Sequence, residues 1–325
     1  MDDLGSLLAA FLTQIADGLA DAIRHPAGRY FWPGLLCALT AMALAFASRP
    51  DWRRCWSPRG SFLAFCFPRA IYRHPSTWLD LRLNVIHLLL KPAYALAWRF
   101  NMAWLATLLA GALADLLGPS PAAFTWTLAC VAGFSVLLAL AEDLGYWLWH
   151  FLAHKIPLLW RLHRLHHSAE VLSPLVAGRE HPIEVLLMPF FRAAATALIA
   201  GPALYLSGTE PRVLSVFGVT LIPALLALPL QQLSHAHLPI SWPAGLNRIF
   251  ISPAAHHLHH SRDPLHHGRN MGGLFALWDW MFGTLRLPTP GEVLAFGLPP
   301  SAETPPCADH SLHNALLAPF QKSGA

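Results

Sequence analysis

The sequence predicts an all-α integral membrane protein built around transmembrane helical hairpins. Two features of the composition support this: hydrophobic residues make up 55% of the 325 residues and charged residues only 12%, against about 25% in ordinary soluble domains. A third observation is a series of long apolar stretches separated by turn residues. The net charge of +4 comes without a basic stripe interleaved with aromatic residues, so we do not expect nucleic-acid binding.

Five apolar stretches approach the roughly 20 residues that a spanning helix needs. They cover residues 31–48, 101–117, 122–141, 185–206 and 213–230. Turn-forming residues at 118–121 and 207–211 join the last four stretches into two hairpins, 101–141 and 185–230. The stretch 83–98 contains His87 and Lys91, so a span and a re-entrant or interfacial helix are both compatible with it.

The arginines predict the orientation of these spans. Residues 49–82 contain seven arginines, and the positive-inside rule puts such a segment in the cytoplasm. If residues 83–98 do not cross, both hairpins leave and return to that side. Residues 142–184 and 231–325 then form one cytoplasmic layer, whereas a crossing moves both segments to the other face. The expected location is a membrane, with the bacterial inner membrane favoured.

The 19 histidines are concentrated in these two segments. Positions i, i+3 and i+4 of a helix share one face, and three groups of histidines have this spacing: His150 and His154; His163, His166 and His167; His256, His259 and His260. Eight imidazoles exceed the roughly four to six ligands of a single ion, so they predict two metal ions in a helical cap on the membrane. His235 or His237, which follow the last span, completes the set.

The ligand type narrows the chemistry. Imidazole nitrogen suits iron, zinc, copper and nickel, but the HExxH motif of zinc proteases is absent from the sequence. Redox iron with open positions supports oxygen chemistry, and a membrane supplies lipids as substrates. The residues therefore predict a two-metal, O2-using enzyme that acts on a lipid at the cytoplasmic interface.

The histidine groups resemble those of the fatty acid hydroxylase/sterol desaturase superfamily, whose members are integral membrane di-iron enzymes. The resemblance covers roughly residues 135–285 and rests first on the order of the three groups. Further matching features are Arg179-x-His181-Pro182, the segment 270–273 and the segment 278–284.

The resemblance implies a ligand set of nine residues: His150, His154, His163, His166, His167, His235, His256, His259 and His260. The position of His237 often holds Asn in the family, so the choice between His235 and His237 is left open. His181, His237 and His257 are expected as additional ligands or as contacts behind the ligands. Asp143 and Tyr146 precede His150 on one helix stripe and are the catalytic candidates, although a structural role for Asp143 is equally compatible.

The implied activity is O2-dependent hydroxylation or desaturation of a lipid or sterol by two iron ions, which zinc can replace. Each turnover needs two electrons, and the sequence has no haem, flavin or ferredoxin motif. A separate donor of the cytochrome b5, ferredoxin or reductase type is therefore expected. The alternative is a non-enzymatic or transport-related metal-binding membrane protein, which would be expected to hold its ligands inside the spans.

Three regions are predicted along the chain. Residues 1–100 form an N-terminal membrane or interfacial region with one span and an arginine-rich cytoplasmic loop. Residues 101–285 form the catalytic domain, with both hairpins and the histidine-bearing cap, and residues 286–325 form a proline-rich tail.

Overall fold

The computed structural model describes residues 32–97, 102–216, 219–222, 225, 230, 232–298 and 310–321, together with residues 13, 16–18, 20, 23 and 24. Within these ranges the fold is helical, as predicted. The one pair of strands in the described part joins β1 (Ser215–Val216) to β2 (Val219–Thr220) in an antiparallel arrangement.

The N-terminal region consists of short helices that surround one apolar helix. The helices are α1 (Trp32–Ser48), α2 (Pro50–Trp56), α3 (Phe62–Cys66) and α4 (Arg69–Tyr72). Proline at the first position of α2 interrupts the helical hydrogen bonds, and α1 and α2 meet at 106°. Buried side chains of α1 and α3 pack against Leu233, Ala236 and Leu238, so this region supports the segment that carries His235.

Helix α5 (Pro75–Ala97) contains most of the stretch 83–98, which is compatible by sequence with a span and with a re-entrant or interfacial helix. It is not one of the described helices that are apolar enough to cross a membrane. Its polar side chains instead contact the protein: Asn84 donates to Leu175 O, and a ring nitrogen of His87 lies 3.1 Å from Glu180 O. These contacts favour a helix that lies along the cap.

Three apolar helices form the membrane part: α6 (Met102–Leu117), α7 (Leu128–Lys155) and α9 (Pro182–Ser207). The last two, with 28 and 26 residues, are each long and apolar enough to cross a membrane, and the bent α1–α2 pair is a third such element if it is one span. Helix α9 packs against both α6 and α7. A Cβ on Gly145 would lie 2.6 Å from Phe191 O, so the glycine allows α7 and α9 to approach closely.

Two predicted span boundaries differ from the structure. The span predicted to begin at residue 122 begins at Leu128, because Thr127 caps the helix by accepting a hydrogen bond from Cys130 N. The span predicted over 213–230 is not helical at residues 215–216 and 219–220, which form β1 and β2 instead. The β-branched residues Val216, Val219 and Thr220 favour extended backbone there. Most of 223–231 lies outside the described residues.

The cap consists of short helices and turns. Its α-helices are α8 (Pro157–His167), α10 (Pro253–His260), α11 (Leu277–Met281) and α12 (Leu312–Leu317), and its 3-10 turns cover Pro174–Gly178, Leu246–Arg248, Pro264–His266 and Ala318–Phe320. Ala315 of α12 packs with Leu79, Leu83 and Leu165. Part of the predicted C-terminal tail is thus folded onto α5 and α8.

A buried arginine joins α5 to the end of α8. Arg179 is fully buried and donates hydrogen bonds to Leu165 O (3.0 Å), Ser168 Oγ (3.1 Å) and Asp80 Oδ1 (2.7 Å). Because the guanidinium has five N–H groups in a rigid fork, one side chain can join three separate segments of the cap.

Removal of the Arg179 guanidinium is expected to destabilise the cap. Arg179→Met leaves Asp80 buried without its ion-pair partner, which costs about 3–5 kcal/mol. The free energy of unfolding in detergent, measured by chemical denaturation, tests this. Arg212→Met, at an exposed arginine, is the matched control and should change stability by less than about 0.5 kcal/mol. Equal stability of the two variants would contradict the assigned role of Arg179.

Candidate metal centre

The first of two histidine groups brings together residues from three helices. Its ligand nitrogens lie within 4.8 Å of one another, and its members are His150, His154, His163, His167 and His259. Every Nε2 atom in this group is buried and has no hydrogen-bond partner. A buried polar atom without a partner is costly, so five of them around one point fit a bound ion.

The second group has four members: His166, His235, His256 and His260. Here the Nε2 atoms contact each other directly, at 2.9 Å between His256 and His235, 3.1 Å between His256 and His260, and 3.3 Å between His166 and His235. Zn–N bonds of about 2.0–2.1 Å in a tetrahedron place neighbouring nitrogens roughly 3.3 Å apart. The four nitrogens therefore have the spacing of ligands around a single ion.

The two groups interlock because α8 and α10 each contribute to both. On a helix with about 100° per residue, positions i and i+4 lie about 40° apart, while i+3 lies about 60° to the other side of i. His163 and His167 of α8 join the five-histidine group and His166 joins the four-histidine group. Helix α10 reverses this: His256 and His260 join the four-histidine group and His259 joins the other. The rings of His167 and His260 stack at 4.7 Å, so the two histidine groups are adjacent.

Three ligands of the five-histidine group are oriented through their second nitrogen. The Nδ1 atoms of His150 and His259 lie 2.8 Å from the carbonyl oxygens of Met271 and Arg269. The Nδ1 atom of His163 lies 2.6 Å from Glu184 Oε1. These acceptors place the proton on Nδ1, which leaves the Nε2 lone pair directed into the group.

The carbonyl groups behind these ligands belong to a loop that carboxylates hold in place. Asp279 accepts from Met271 N and Gly272 N, each at 2.8 Å. Asn270 adopts a left-handed backbone conformation with φ 55°, and its amide donates to Ala255 O of α10. The loop is thereby fixed relative to α10.

The structure places the two catalytic candidates beside this loop. Asp143 accepts backbone hydrogen bonds from Leu274 N (2.8 Å) and Phe275 N (3.1 Å). The Tyr146 ring lies 5.5 Å from the His150 ring. A Cβ atom added to Gly273 would lie 2.9 Å from the Tyr146 ring. Asp143 thus anchors the loop to α7, which corresponds to the structural role among the alternatives from the sequence.

Burial sets the protonation state of the ligands in the cap. It is the main cause that lowers the pKa well below the ordinary value for His166, His167, His256, His259 and His260. Neighbouring imidazoles act in the same direction, since like charges disfavour each other. The rings are therefore neutral at pH 7, which is the form that binds metals.

The remaining histidine candidates lie outside both groups. His181 caps α9 by accepting from Ile183 N, and its Nε2 lies 3.1 Å from Leu316 O. The His237 ring lies 4.9 Å from Trp56 and the His257 ring 6.1 Å from Phe296, both edge-on. Burial lowers the pKa of His237 and of His257 to about 4. Of the pair left open by the sequence, His235 is the one that the structure brings into a group.

A third cluster has a simpler explanation than metal binding. His74, Glu170 and His310 also have candidate ligand atoms within 4.8 Å of one another. However, Ser76 N donates to Nδ1 of His74 at 3.2 Å, so a neutral His74 carries its proton on Nε2. That nitrogen lies 3.7 Å from Glu170 Oε2. The arrangement fits a helix cap whose second nitrogen faces a carboxylate.

Sequence reasoning missed Glu184 and Asp279. Asp279 lies within the matching segment 278–284, but its spacing from the histidines does not indicate its role, and Glu184 lies outside every histidine group. The available signal for Glu184 was a lone acidic residue immediately before the apolar stretch 185–206. A charge at that position needs a buried partner or a site at the membrane boundary.

The structure predicts which of His235 and His237 holds metal. The wild-type protein is expected to contain two ions per chain, and His235→Ala is expected to lose the ion of the four-histidine group. His237→Phe keeps an aromatic ring against Trp56 and is the matched control, with both ions retained. Elemental analysis of the purified proteins measures this. Metal loss in His237→Phe with none in His235→Ala would reverse the assignment.

Comparison with known proteins locates the same region. Residues 135–284 match the family described as Fatty acid hydroxylase. The alkylglycerol monooxygenase of Danio rerio is 28% identical over 166 residues, which cover 51% of this chain and 31% of that protein. The ornithine lipid hydroxylase OlsE of Rhizobium tropici is 33% identical over 158 residues, or 48% of this chain and 43% of that protein.

A third relative is the cholesterol 25-hydroxylase of Rattus norvegicus, 28% identical over 156 residues that cover 46% of each protein. The matched part of the chain therefore spans about a third to a half of the length of these relatives. No solved structure gives a significant match. The family match begins in α7 and ends just after α11, so it contains every histidine of both groups. The chain therefore matches the fatty acid hydroxylase family over residues 135–284, and the relatives named above belong to the fatty acid hydroxylase/sterol desaturase superfamily.

Proposed function

We propose that the protein is an O2-dependent hydroxylase of a membrane lipid or sterol, with a histidine-bound di-iron centre. The observation that carries the proposal is the pair of adjacent histidine groups, with five and four members. The three relatives above are named as a monooxygenase or as hydroxylases of lipids. Their names favour hydroxylation over the desaturation that the superfamily also includes.

The donor set supports two redox metal ions. The nine imidazoles provide no carboxylate ligand of the kind that magnesium or calcium prefers. A catalytic zinc ion usually has three protein ligands and an open position. One such ion would leave most of the nine histidines without a metal to bind. When bound, two iron ions would supply the activation of O2 and the attack on an unactivated C–H bond.

The protein's own residues orient this centre and shield it from water. The carbonyls of Arg269 and Met271 and the carboxylate of Glu184 fix the rings of His259, His150 and His163. All members of both groups except the half-buried His154 are buried. A site closed to bulk water protects reactive species from side reactions.

The position of the groups supports a lipid substrate. The first histidines lie in the last two turns of α7 and Glu184 lies in the first turn of α9, so the site is at the end of two membrane-length helices. Nearby, Trp147 stacks on Phe151 and on Phe282, at 5.1 and 4.6 Å. Trp280 and Met281, beside Phe282, are exposed. Aromatic side chains of this kind are enriched where a protein meets the membrane interface.

The proposal includes a cytoplasmic active site and a separate electron donor. The exposed arginines of 49–82 support the orientation by the positive-inside rule. Exposed Arg161 and Arg262, which flank the second and third histidine groups of the sequence, offer positive charge to an acidic donor.

A metal-binding or transport protein is the second candidate. Its expected feature is a set of ligands near the middle of a spanning helix, where an ion passes through the membrane. Here the ligands lie at the end of α7 and in the cap, which favours the enzyme.

The proposed activity predicts a strict requirement for O2 and for both groups. The iron-loaded protein in lipid nanodiscs, supplied with a chemical reductant, should consume O2 and add one oxygen atom to a lipid, detected by mass spectrometry with isotopically labelled O2. His166→Ala and His259→Ala each remove a ligand from one group and should reduce turnover below detection while the protein still inserts in membranes. Activity without O2, or a single tightly held zinc ion in the active protein, would rule out the proposal.

The proposed orientation is testable at a native cysteine. Cys55 lies in α2 and is exposed, so it should react with a membrane-impermeant thiol reagent from the cytoplasmic side only. The reagent is applied to right-side-out and inverted vesicles, and Cys55→Ser identifies the labelled residue. Labelling of Cys55 from the outside would place the arginine-rich segment on the opposite face.

A further inference from the structure

Glu184 is a buried carboxylate in the first turn of α9. Its side chain is 2% exposed, and Oε1 lies 2.6 Å from Nδ1 of His163. Its other oxygen, Oε2, is buried and has no hydrogen-bond partner. The N-terminal end of a helix favours negative charge. This effect accounts for an acidic residue in the first turn of α9, but it does not account for the contact with a histidine of the five-histidine group.

The acceptors behind the ligands differ in charge. His150 and His259 face carbonyl oxygens at 2.8 Å, whereas His163 faces a carboxylate at the shorter distance of 2.6 Å. Glu184 thus brings a carboxylate into contact with a member of the five-histidine group. A hydrogen bond to a carboxylate is stronger than one to a neutral carbonyl, and it raises the basicity of the imidazole.

The two groups therefore differ in how strongly they stabilise the higher oxidation state of a bound ion. A more basic imidazole donates more electron density to its ion and stabilises the higher oxidation state. The negative charge of the carboxylate acts in the same direction through a medium of low dielectric constant. In the four-histidine group, no described hydrogen bond or ion pair of His166, His256 or His260 involves a carboxylate.

We propose that Glu184 is a positioning residue that lowers the reduction potential of the ion in the five-histidine group relative to the ion in the four-histidine group. This rests on the proposed di-iron function. Glu184 acts through His163: its carboxylate orients the ring, and its charge tunes the ion. Electrons from a donor then reduce the four-histidine position first, and the five-histidine position is the first to be oxidised.

Two substitutions separate orientation from charge. Glu184→Gln keeps an oxygen that accepts from His163 Nδ1 but removes the negative charge. Glu184→Ala removes both. The matched control is Glu210→Gln, at an exposed carboxylate beyond the other end of α9. Each protein is loaded with iron, and its metal content, redox titration and Mössbauer spectrum are measured.

The expected results differ between the variants. Wild type and Glu210→Gln should bind two irons and give two distinct Mössbauer signals and two reduction steps. In Glu184→Gln both irons stay bound, one signal changes and the lower reduction step moves to higher potential. In Glu184→Ala the affinity for one of the two irons falls by about 10- to 100-fold.

The same measurements distinguish a failure of the proposed di-iron function from a failure of the role proposed for Glu184. If wild type does not bind two irons, the proposed function fails. If wild type binds two irons but the spectrum and potentials of Glu184→Gln equal those of wild type, the role of Glu184 is overturned. A loss of both irons or an equal shift of both signals in Glu184→Gln would also overturn it, because the effect would not be confined to one position.

Discussion

The close approach of nine imidazoles, eight of them buried and one half-buried, is the constraint on which the rest of the structure depends. Such a cluster cannot be satisfied by hydrogen bonds among its own members, since a neutral ring has one donor and one acceptor. Several rings therefore direct Nδ1 to an outside acceptor, as His150 does to Met271 O and His259 to Arg269 O. Every element that supplies such an acceptor must itself be held in place.

This requirement explains the buried polar contacts around the groups. Asp279 fixes the loop at Met271 and Gly272 through their backbone N–H groups, and Asp143 fixes the next segment at Leu274 and Phe275. Both carboxylates thus accept hydrogen bonds from backbone N–H groups, and Asp279 also accepts from the side chains of Trp147 and Thr284. Farther out, Arg179 and Asp80 tie the end of α8 to α5. The histidines therefore lie at the centre, the carbonyl groups that orient them lie around them, and the residues that hold those segments lie farther out.

Two of the membrane helices continue into the cap and position its first histidines and Glu184. Helix α7 continues without a break from its apolar part to His150 and His154. Helix α9 begins at Pro182 and contributes Glu184 within its first turn. Because Gly145 allows the two helices to approach closely, their ends present a ligand pair and a carboxylate from neighbouring positions. The same two helices thus locate the site at the end of the apolar region.

The sequence alone determined the helical fold class and the histidine-bearing helices, and it predicted two metal ions, because these follow from composition and from periodicity within one helix. It did not determine how the ligands divide, with His163 and His167 apart from His166, because relations between helices depend on packing. Nor did it choose His235 over His237, find Glu184 as the partner of His163 or predict β1 and β2 within the stretch 213–230. The division of the histidines and the partners of His235 and His163 depend on contacts between residues far apart in the chain, and only the tertiary structure decides them.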